Sequence, residues 1–371
     1  MESVDVLVVG SGPAGSTAAR FAAEGGASVL VLERRSEVGV PVRCGEFMPG
    51  ISEIRGMFPA LEDAEPLFDV PDDLRCAHIE GIKLVNPKDE VTLLDFDGYT
   101  TDRDRFDQYL ARRAVEAGAS LETGCSFDSL EGGVARTSQG DIRYRVIIGA
   151  DGPGSRVARS LGLSKNSNPY PAVTAQVEGD FEPYTYMFFG DIAPGAYSWI
   201  IPKDGRANIG VGMSPKFASG SVSEYFDKFA SKRGFQEHSG VQGKYVPSEG
   251  PIPKTVSGSG MVVGDAAGQV ISVNGGGIPL AMIAGRICGR TAAGNVGSGA
   301  PLSGYETEWR RIMEKPLRTA AFNKKLADTF AFRSEASTAF CMRLLGRRRL
   351  GNLIRCKSLF PRSPSAAGFE R

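Results

Sequence analysis

The sequence predicts an α/β fold, α+β overall: a discontinuous nucleotide-binding domain, an antiparallel-sheet domain inserted into it and a C-terminal helical segment. Three observations lead there. Val4 to Val9 is a short apolar run that ends in Gly10-Ser11-Gly12-Pro13-Ala14-Gly15 and opens the small-residue helix pattern STAARFAAEGG. Two later apolar runs, RYRVIIGADG and GMVVGDAAG, stop on Asp151-Gly152 and Gly264-Asp265. Between those runs lie short alternating stretches such as YSWIIP and RANIGVGM, broken by Gly, Pro and Asp.

The first element is a Rossmann-like strand, glycine turn and helix, followed by the apolar run ASVLVLE, which closes on Glu33, eighteen residues after Gly15. Gly10, Gly12 and Gly15 let backbone approach a pyrophosphate, the helix N-terminus offers free N–H groups, and Glu33 can accept from a ribose. A dinucleotide fits this context. Next, DRDRFDQYLARRAVEA predicts a helix over 102–117, with Phe106, Tyr109, Leu110 and Ala114 at helical spacing and Gly118 ending it. Arg103, at its start, is either a surface charge or a contact to the cofactor's phosphates. ASLETGCSF follows as a strand, and the run from Gly275-Gly276-Gly277 opens a further helix. Residues 1–70, 100–160 and 255–300 are assigned to the nucleotide domain, 71–99 and 161–254 to the inserted sheet, and 301–371 to the helical, basic C-terminal segment.

At 371 residues, 42% hydrophobic and 23% charged, the chain is long enough for more than one packed unit. MESVDVLVVG has no basic stretch ahead of its apolar run, so it is not a signal peptide, and a cytoplasmic location is expected. Six scattered cysteines and two histidines predict neither a disulfide framework nor a metal site. Equal numbers of basic and acidic residues argue against nucleic acid as partner. The charge is nonetheless uneven: from Pro316 onward twelve Lys/Arg face three Asp/Glu. There Leu344, Leu345, Leu350, Leu353, Ile354, Leu359 and Phe360 interleave with Arg347, Arg348, Arg349, Arg355 and Lys357. The pattern suits either solvated helix faces or peripheral contact with an anionic membrane surface.

GSGPAG with Glu33, ADG at 150–152 and GDA at 264–266 resemble the flavoprotein hydroxylase fold of p-hydroxybenzoate hydroxylase. Two further stretches narrow the resemblance: Pro41-Val42-Arg43-Cys44-Gly45-Glu46, and Pro194, Tyr197, Trp199 and Pro202 of PGAYSWIIP. Both look like the geranylgeranyl reductase family, whose pattern PxxYxWxFP is met except for Ile201 in place of Phe. The resemblance spans roughly residues 1–300 and implies an FAD-dependent reductase that saturates the C=C bonds of geranylgeranyl chains. The implied substrates are archaeal digeranylgeranylglycerophospholipids, made for membrane lipid. The alternative is a flavin-dependent monooxygenase or halogenase of the same fold; YSWIIP misses the halogenase pattern WxWxIP at Tyr197.

By this resemblance FAD is held by Gly10, Gly12, Ala14 and Gly15 in the turn, Glu33 at the ribose, Arg103 at the phosphates and Phe127 near the adenine. Asp265 reaches the ribityl or pyrophosphate region, Gly277 and Ile278 the pyrimidine edge of the flavin, and Arg43, Cys44 and Gly45 lie on the flavin side. Saturating an isolated alkene takes a hydride and a proton. Cys44 is the candidate acid, with Glu46 and Tyr197 orienting it or relaying protons, unless Cys44 only fills a tight loop. Tyr197 and Trp199 wall the prenyl channel. An external electron donor is implied, with NADPH, a reduced deazaflavin and ferredoxin all compatible.

Overall fold

A computed structural model describes residues 2–235 and 238–360. Two eight-stranded sheets organise them. In the first, strands Val256–Ser257, Gly260–Val262, Gly140–Gly149, Glu2–Val9, Val29–Glu33 and Ser120–Thr123 lie in that order. All neighbours pair parallel except the Val256–Ser257 edge, and a hairpin, Phe127–Glu131 and Val134–Thr137, attaches to Gly140–Gly149. Val6, Leu7 and Val8 are fully buried in succession. Both faces of this sheet are covered, one by helices and the other by Phe127 and Ala135 of the hairpin with Val157 and Ala158, which is why these strands read as unbroken apolar runs. Three separated stretches of chain meet here, because Glu2–Val9 pairs with Gly140–Gly149, which in turn pairs with Gly260–Val262.

The second sheet runs in the order Gln242–Val246, Tyr170–Glu178, Arg206–Gly212, Ser198–Lys203, Tyr184–Phe188, His78–Val85, Val91–Thr100 and Phe47–Pro49. It is antiparallel apart from the Tyr184–Phe188 and His78–Val85 pair. Val91–Thr100 alternates exposed and buried residues along much of its length, as expected of a sheet with one wet face. Phe47–Pro49, which follows the PVRCGE loop within residues 1–70, is an edge strand of this second sheet. The loop therefore passes from one sheet to the other.

Helix Arg103–Glu116 buries Phe106, Leu110 and Ala114 and packs on helix Pro13–Glu24. After Gly277 the chain enters helix Ile278–Ser298, most of whose first twelve residues are buried against the same small-residue helix. The C-terminal segment is helical from Ser303 to Ala331, with two wider π turns at Arg310–Glu314 and Ala327–Ala331, and again over Glu335–Ile354. Two fully buried aromatics pin it to the first sheet: Tyr305 donates to the Val262 carbonyl at 2.9 Å, and Trp309 Nε1 to Thr255 Oγ1 at 2.9 Å. The final helix is kinked at Gly346, where φ is 63°. No helix among the described residues is long and apolar enough to cross a membrane. Arg362 and Arg371, counted in the basic tail, lie outside the described residues.

Candidate active site

A cavity of about 1060 Å³ lies between the two sheets and under the final helix. Its nucleotide half is built on the first turn. Gly10 has φ +101°, and a Cβ on Gly15 would lie 1.8 Å from the Gly10 carbonyl oxygen, so the turn tolerates no side chain there. Gly15 thus sits beneath the turn rather than on the cavity wall, whereas Gly10, Gly12 and Ala14 line it. A Cβ on Gly12 would meet nothing within 4 Å. This open space lies at the N-terminus of helix Pro13–Glu24, where backbone N–H groups and the helix dipole favour an anion. Glu33 accepts from Ser11 N at 3.1 Å, Ser11 Oγ at 2.9 Å and Arg35 N at 3.0 Å, which fixes the end of its strand beside the turn.

Cations gather along this half. Arg35 and Arg43 both line the cavity; burial, then the Arg43 charge, depress the Arg35 pKa, and the Arg43 Nε is buried without a hydrogen-bond partner. Crowded guanidiniums and an unsatisfied donor suit an anionic ligand. Asp265 pairs with Lys244 at 2.7 Å. Desolvation opposes the Lys244 charge, but the Asp265 carboxylate holds its pKa above the ordinary value. Gly277 is the N-cap of helix Ile278–Ser298 and lines the cavity with Ile278. Phe127, buried at a strand start, also lines it, and its carbonyl accepts from Arg156 Nη1 at 3.0 Å. These features fit FAD: an open cradle for the pyrophosphate, an acidic strand end for the ribose and a helix N-terminus at the far end.

Arg103 lines the cavity, and part of its guanidinium is taken up by an acidic partner. The guanidinium grips Asp107 in a fork, with contacts of 3.1, 2.9 and 2.9 Å. Burial works against its charge, but Asp107 and Cys44 more than offset this and hold the pKa well above the usual arginine value. The sequence predicted the charge at the cavity wall but not Asp107, whose place one helical turn on from Arg103 was the available signal.

Cys44, Gly45 and Glu46 line the middle of the cavity. The Cys44 sulfur accepts from Glu46 N at 3.2 Å. Glu46 is fully buried, and its carboxylate is surrounded by donors: Lys203 Nζ at 3.0 Å, Asn208 Nδ2 at 2.9 Å, Arg103 N at 3.2 Å and Gln176 Nε2. A carboxylate so occupied holds the loop and has no oxygen left over for proton relay, so the geometry favours the orienting part of its expected role. Asn208, Gln176 and Lys203 went unnoticed in the sequence, since polar residues inside strand patterns carry no motif.

Beyond Cys44 the cavity is apolar. Tyr197, Trp199 and Ile201 come from the strand Ser198–Lys203 and its approach, Met187 and Phe189 from the adjoining strand, and Ile82, Leu84 and Phe96 from the next hairpin. Trp199 lies flat across Gly210, its partner in the ladder, where a Cβ would come within 2.1 Å of the indole. Tyr197 is packed between Phe189 and Trp199, at ring separations of 6.1 and 5.9 Å, and donates its hydroxyl to the Asn274 carbonyl. Burial, then the nearby Cys44, raise its pKa, so the phenol keeps its proton. The far wall is the final helix: Thr338, Cys341, Met342, Leu345, Leu350, Leu353 and Ile354. This corrects one expectation, since Leu345, Leu350, Leu353 and Ile354 face inward to the cavity and Leu359 is buried, leaving only Leu344 and Phe360 of that set exposed.

Comparison with known proteins agrees with this division. Residues 169–244 match the geranylgeranyl reductase catalytic domain, and residues 8–59 an NAD(P)-binding Rossmann-like domain. Digeranylgeranylglycerophospholipid reductase 2 of Methanothermobacter thermautotrophicus is 37% identical over 349 residues, 87% of this chain and 88% of its own. The digeranylgeranylglycerophospholipid reductase of Methanocaldococcus jannaschii is 35% identical over 82% of both chains. A solved structure of a geranylgeranyl bacteriochlorophyll reductase-like protein from Thermoplasma acidophilum superposes with a TM-score of 0.78 at 28% identity, covering 88% and 87% of the two chains. A flavin-dependent brominase superposes at 0.71 over 95% of both chains with 18% identity, which shows a shared fold alone. With a relative this similar along nearly its whole length, and with the catalytic-domain match falling on the sheet that walls the apolar half of the cavity, the chain belongs to the geranylgeranyl reductase family.

Proposed function

We propose that this chain is an FAD-dependent reductase that saturates the C=C bonds of the geranylgeranyl chains of digeranylgeranylglycerophospholipids, with Cys44 as proton donor. The observation that carries this reading is the position of Cys44, between a polar, cationic half that fits a dinucleotide and an apolar half walled by aromatic and aliphatic side chains. When bound, FAD supplies the hydride. The protein's task is to hold an isoprenoid chain against it, exclude water and deliver a proton to the other carbon. Cys44 Sγ delivers that proton. The Glu46 N–H holds the sulfur in place. Tyr197 and Trp199 serve as walls, the tyrosine proton being committed to the Asn274 carbonyl.

The test uses chemically reduced holoenzyme and a digeranylgeranylglycerophospholipid, with lipid mass spectrometry reading a gain of H2 per double bond. The parent protein saturates the lipid. Cys44→Ala should keep its yellow flavin and lose activity by about 10²- to 10⁴-fold, the usual worth of a positioned acid. Saturation by Cys44→Ala at the parent rate would remove Cys44 as the acid.

A peripheral membrane contact belongs to the same reading. Glu335–Ile354 is apolar on two faces: Thr338, Cys341, Met342 and Leu345 roof the cavity, while Phe340 and Leu344 point outward, 63% and 65% exposed. Phe322, Phe330 and Phe360 are also exposed on this segment, near the exposed Lys325, Arg333, Arg348 and Arg349. An outward apolar face with basic neighbours suits the boundary layer of an anionic bilayer. Phe340→Ser with Leu344→Ser should weaken flotation with anionic vesicles, and unchanged flotation would end the idea.

A further inference from the structure

We propose that Asn208 is a positioning residue of the reaction, the link through which the aromatic wall sets the place of the Cys44 sulfur. Its four hydrogen-bonding positions are all used. Nδ2 donates to the Cys44 carbonyl at 2.9 Å and to Glu46 Oε2 at 2.9 Å, and Oδ1 accepts from Trp199 Nε1 at 2.8 Å and Thr174 Oγ1 at 2.7 Å. The amide can face only this way, since an indole N–H can only donate and a carbonyl can only accept. Asn208 is fully buried, in strand Arg206–Gly212, between the strands that carry Thr174 and Trp199.

The loop needs such a restraint. Glu46 has φ +65°, a conformation that side-chain-bearing residues seldom hold without support. In that conformation its N–H points at the Cys44 sulfur. Lys203, Gln176 and the Arg103 N–H hold the Glu46 carboxylate, but Asn208 alone among these donors also grips the Cys44 carbonyl, so it restrains both ends of Cys44-Gly45-Glu46. The same amide fixes the indole edge of Trp199, and a movement of the wall is thereby a movement of the sulfur. An error of about an ångström at a reacting atom can cost about 10²-fold.

The inference rests on the reading of Cys44 as proton donor, and the experiment separates the two. In flavin-loaded Asn208→Ala, alkylation of Cys44 by iodoacetamide, followed by peptide mass mapping with buried Cys125 and Cys288 as internal references, should run about tenfold faster as the loop loosens, roughly the effect of losing one to two net hydrogen bonds. kcat should fall about 10- to 100-fold and KM rise by a smaller factor, because placement of the acid is lost while Trp199, released at its Nε1, stays packed against Gly210 and Tyr197. Thr174→Val, which removes one donor to Oδ1 and keeps the side-chain shape, should move both readouts the same way by a smaller factor, and it decides the matter where Asn208→Ala does not fold. An unchanged Cys44 alkylation rate in the folded variants overturns the proposal whatever their activity. So does faster alkylation with parent kcat when Cys44→Ala is inactive. Faster alkylation with a Cys44→Ala enzyme of parent activity leaves Asn208 as the restraint on the loop and overturns the catalytic role of Cys44 instead.

Discussion

In the nucleotide half of the cavity the walls are largely backbone and charge, a glycine turn, two helix N-termini and a row of guanidiniums, while in the lipid half they are apolar side chains from segments more than two hundred residues apart. The first kind of wall depends on a few positions where any side chain is an obstruction. The second depends on summed volume and shape, which many side chains can supply. The two halves should therefore respond to substitution in different ways. Gly15→Val is the severest test of the first: its side chain would start 1.8 Å from the Gly10 carbonyl, and no rotamer relieves a clash made by Cβ. Flavin absorbance per protein should drop to roughly a tenth or less, since overpacking against backbone displaces the turn. A yellow Gly15→Val protein would show that the turn can deform and that the contrast between the halves is overstated.

Glu46 is where the two halves are joined, so its loss should be felt in both. Glu46→Ala removes the partner of Lys203, which is buried and has only Asp102 left to pair with. Lys203 keeps Asp102, so the cost comes mainly from the buried donors of Asn208, Gln176 and Arg103 left without an acceptor, about 1 to 3 kcal/mol each, to be read in denaturant unfolding. Glu46→Gln keeps an acceptor for Asn208 and should fall between the alanine variant and the parent. If Glu46→Ala unfolds at the parent midpoint, the network around the loop is not what holds it.

The same contrast explains what could be seen in the sequence. GSGPAG, Glu33, ADG and GDA are short contiguous patterns because backbone geometry is local, and they pointed to the nucleotide half with the residues named. PVRCGE and YSWIIP pointed to the seam. The final helix as roof was not visible: Met342, Leu345, Leu350 and Ile354 sit among arginines, and a leucine that lines a lipid channel has the same pattern as one that faces a bilayer. Asn208, Gln176 and Lys203 were hidden for a related reason, as their partners lie from nine to more than a hundred and fifty residues away in the chain and only the sheet register brings them together.

On the lipid side the responses should be graded. Met342→Trp adds bulk to an inward-facing roof position without touching the nucleotide half. Flavin content should stay at the parent level, while KM for the lipid rises by about tenfold, the scale expected from one misfitting apolar group in a pocket. Loss of flavin in this variant would mean that the two halves are not independently built.

The smallest effect concerns how the roof is tethered. Arg343 binds Glu90, in the turn before strand Val91–Thr100, and Arg347 binds Asp95 of that strand, both across exposed surface, where ion pairs contribute little. The Arg343 hydrogen bond, followed by that of Asn86, lowers the Glu90 carboxyl from 4.5 to about 2. A depressed acid stabilises the folded state above its unfolded pKa, and that contribution is lost as pH falls through the folded value. Arg343→Ala should accordingly melt only slightly below the parent at pH 7, and the gap should narrow as pH is lowered from 4.5 towards 2. The gap should also shrink with added salt, because the pair is open to water. A large, salt-insensitive loss of Tm would instead place Arg343 among the groups that build the roof, and the lipid half would then rest on a specific contact as the nucleotide half does.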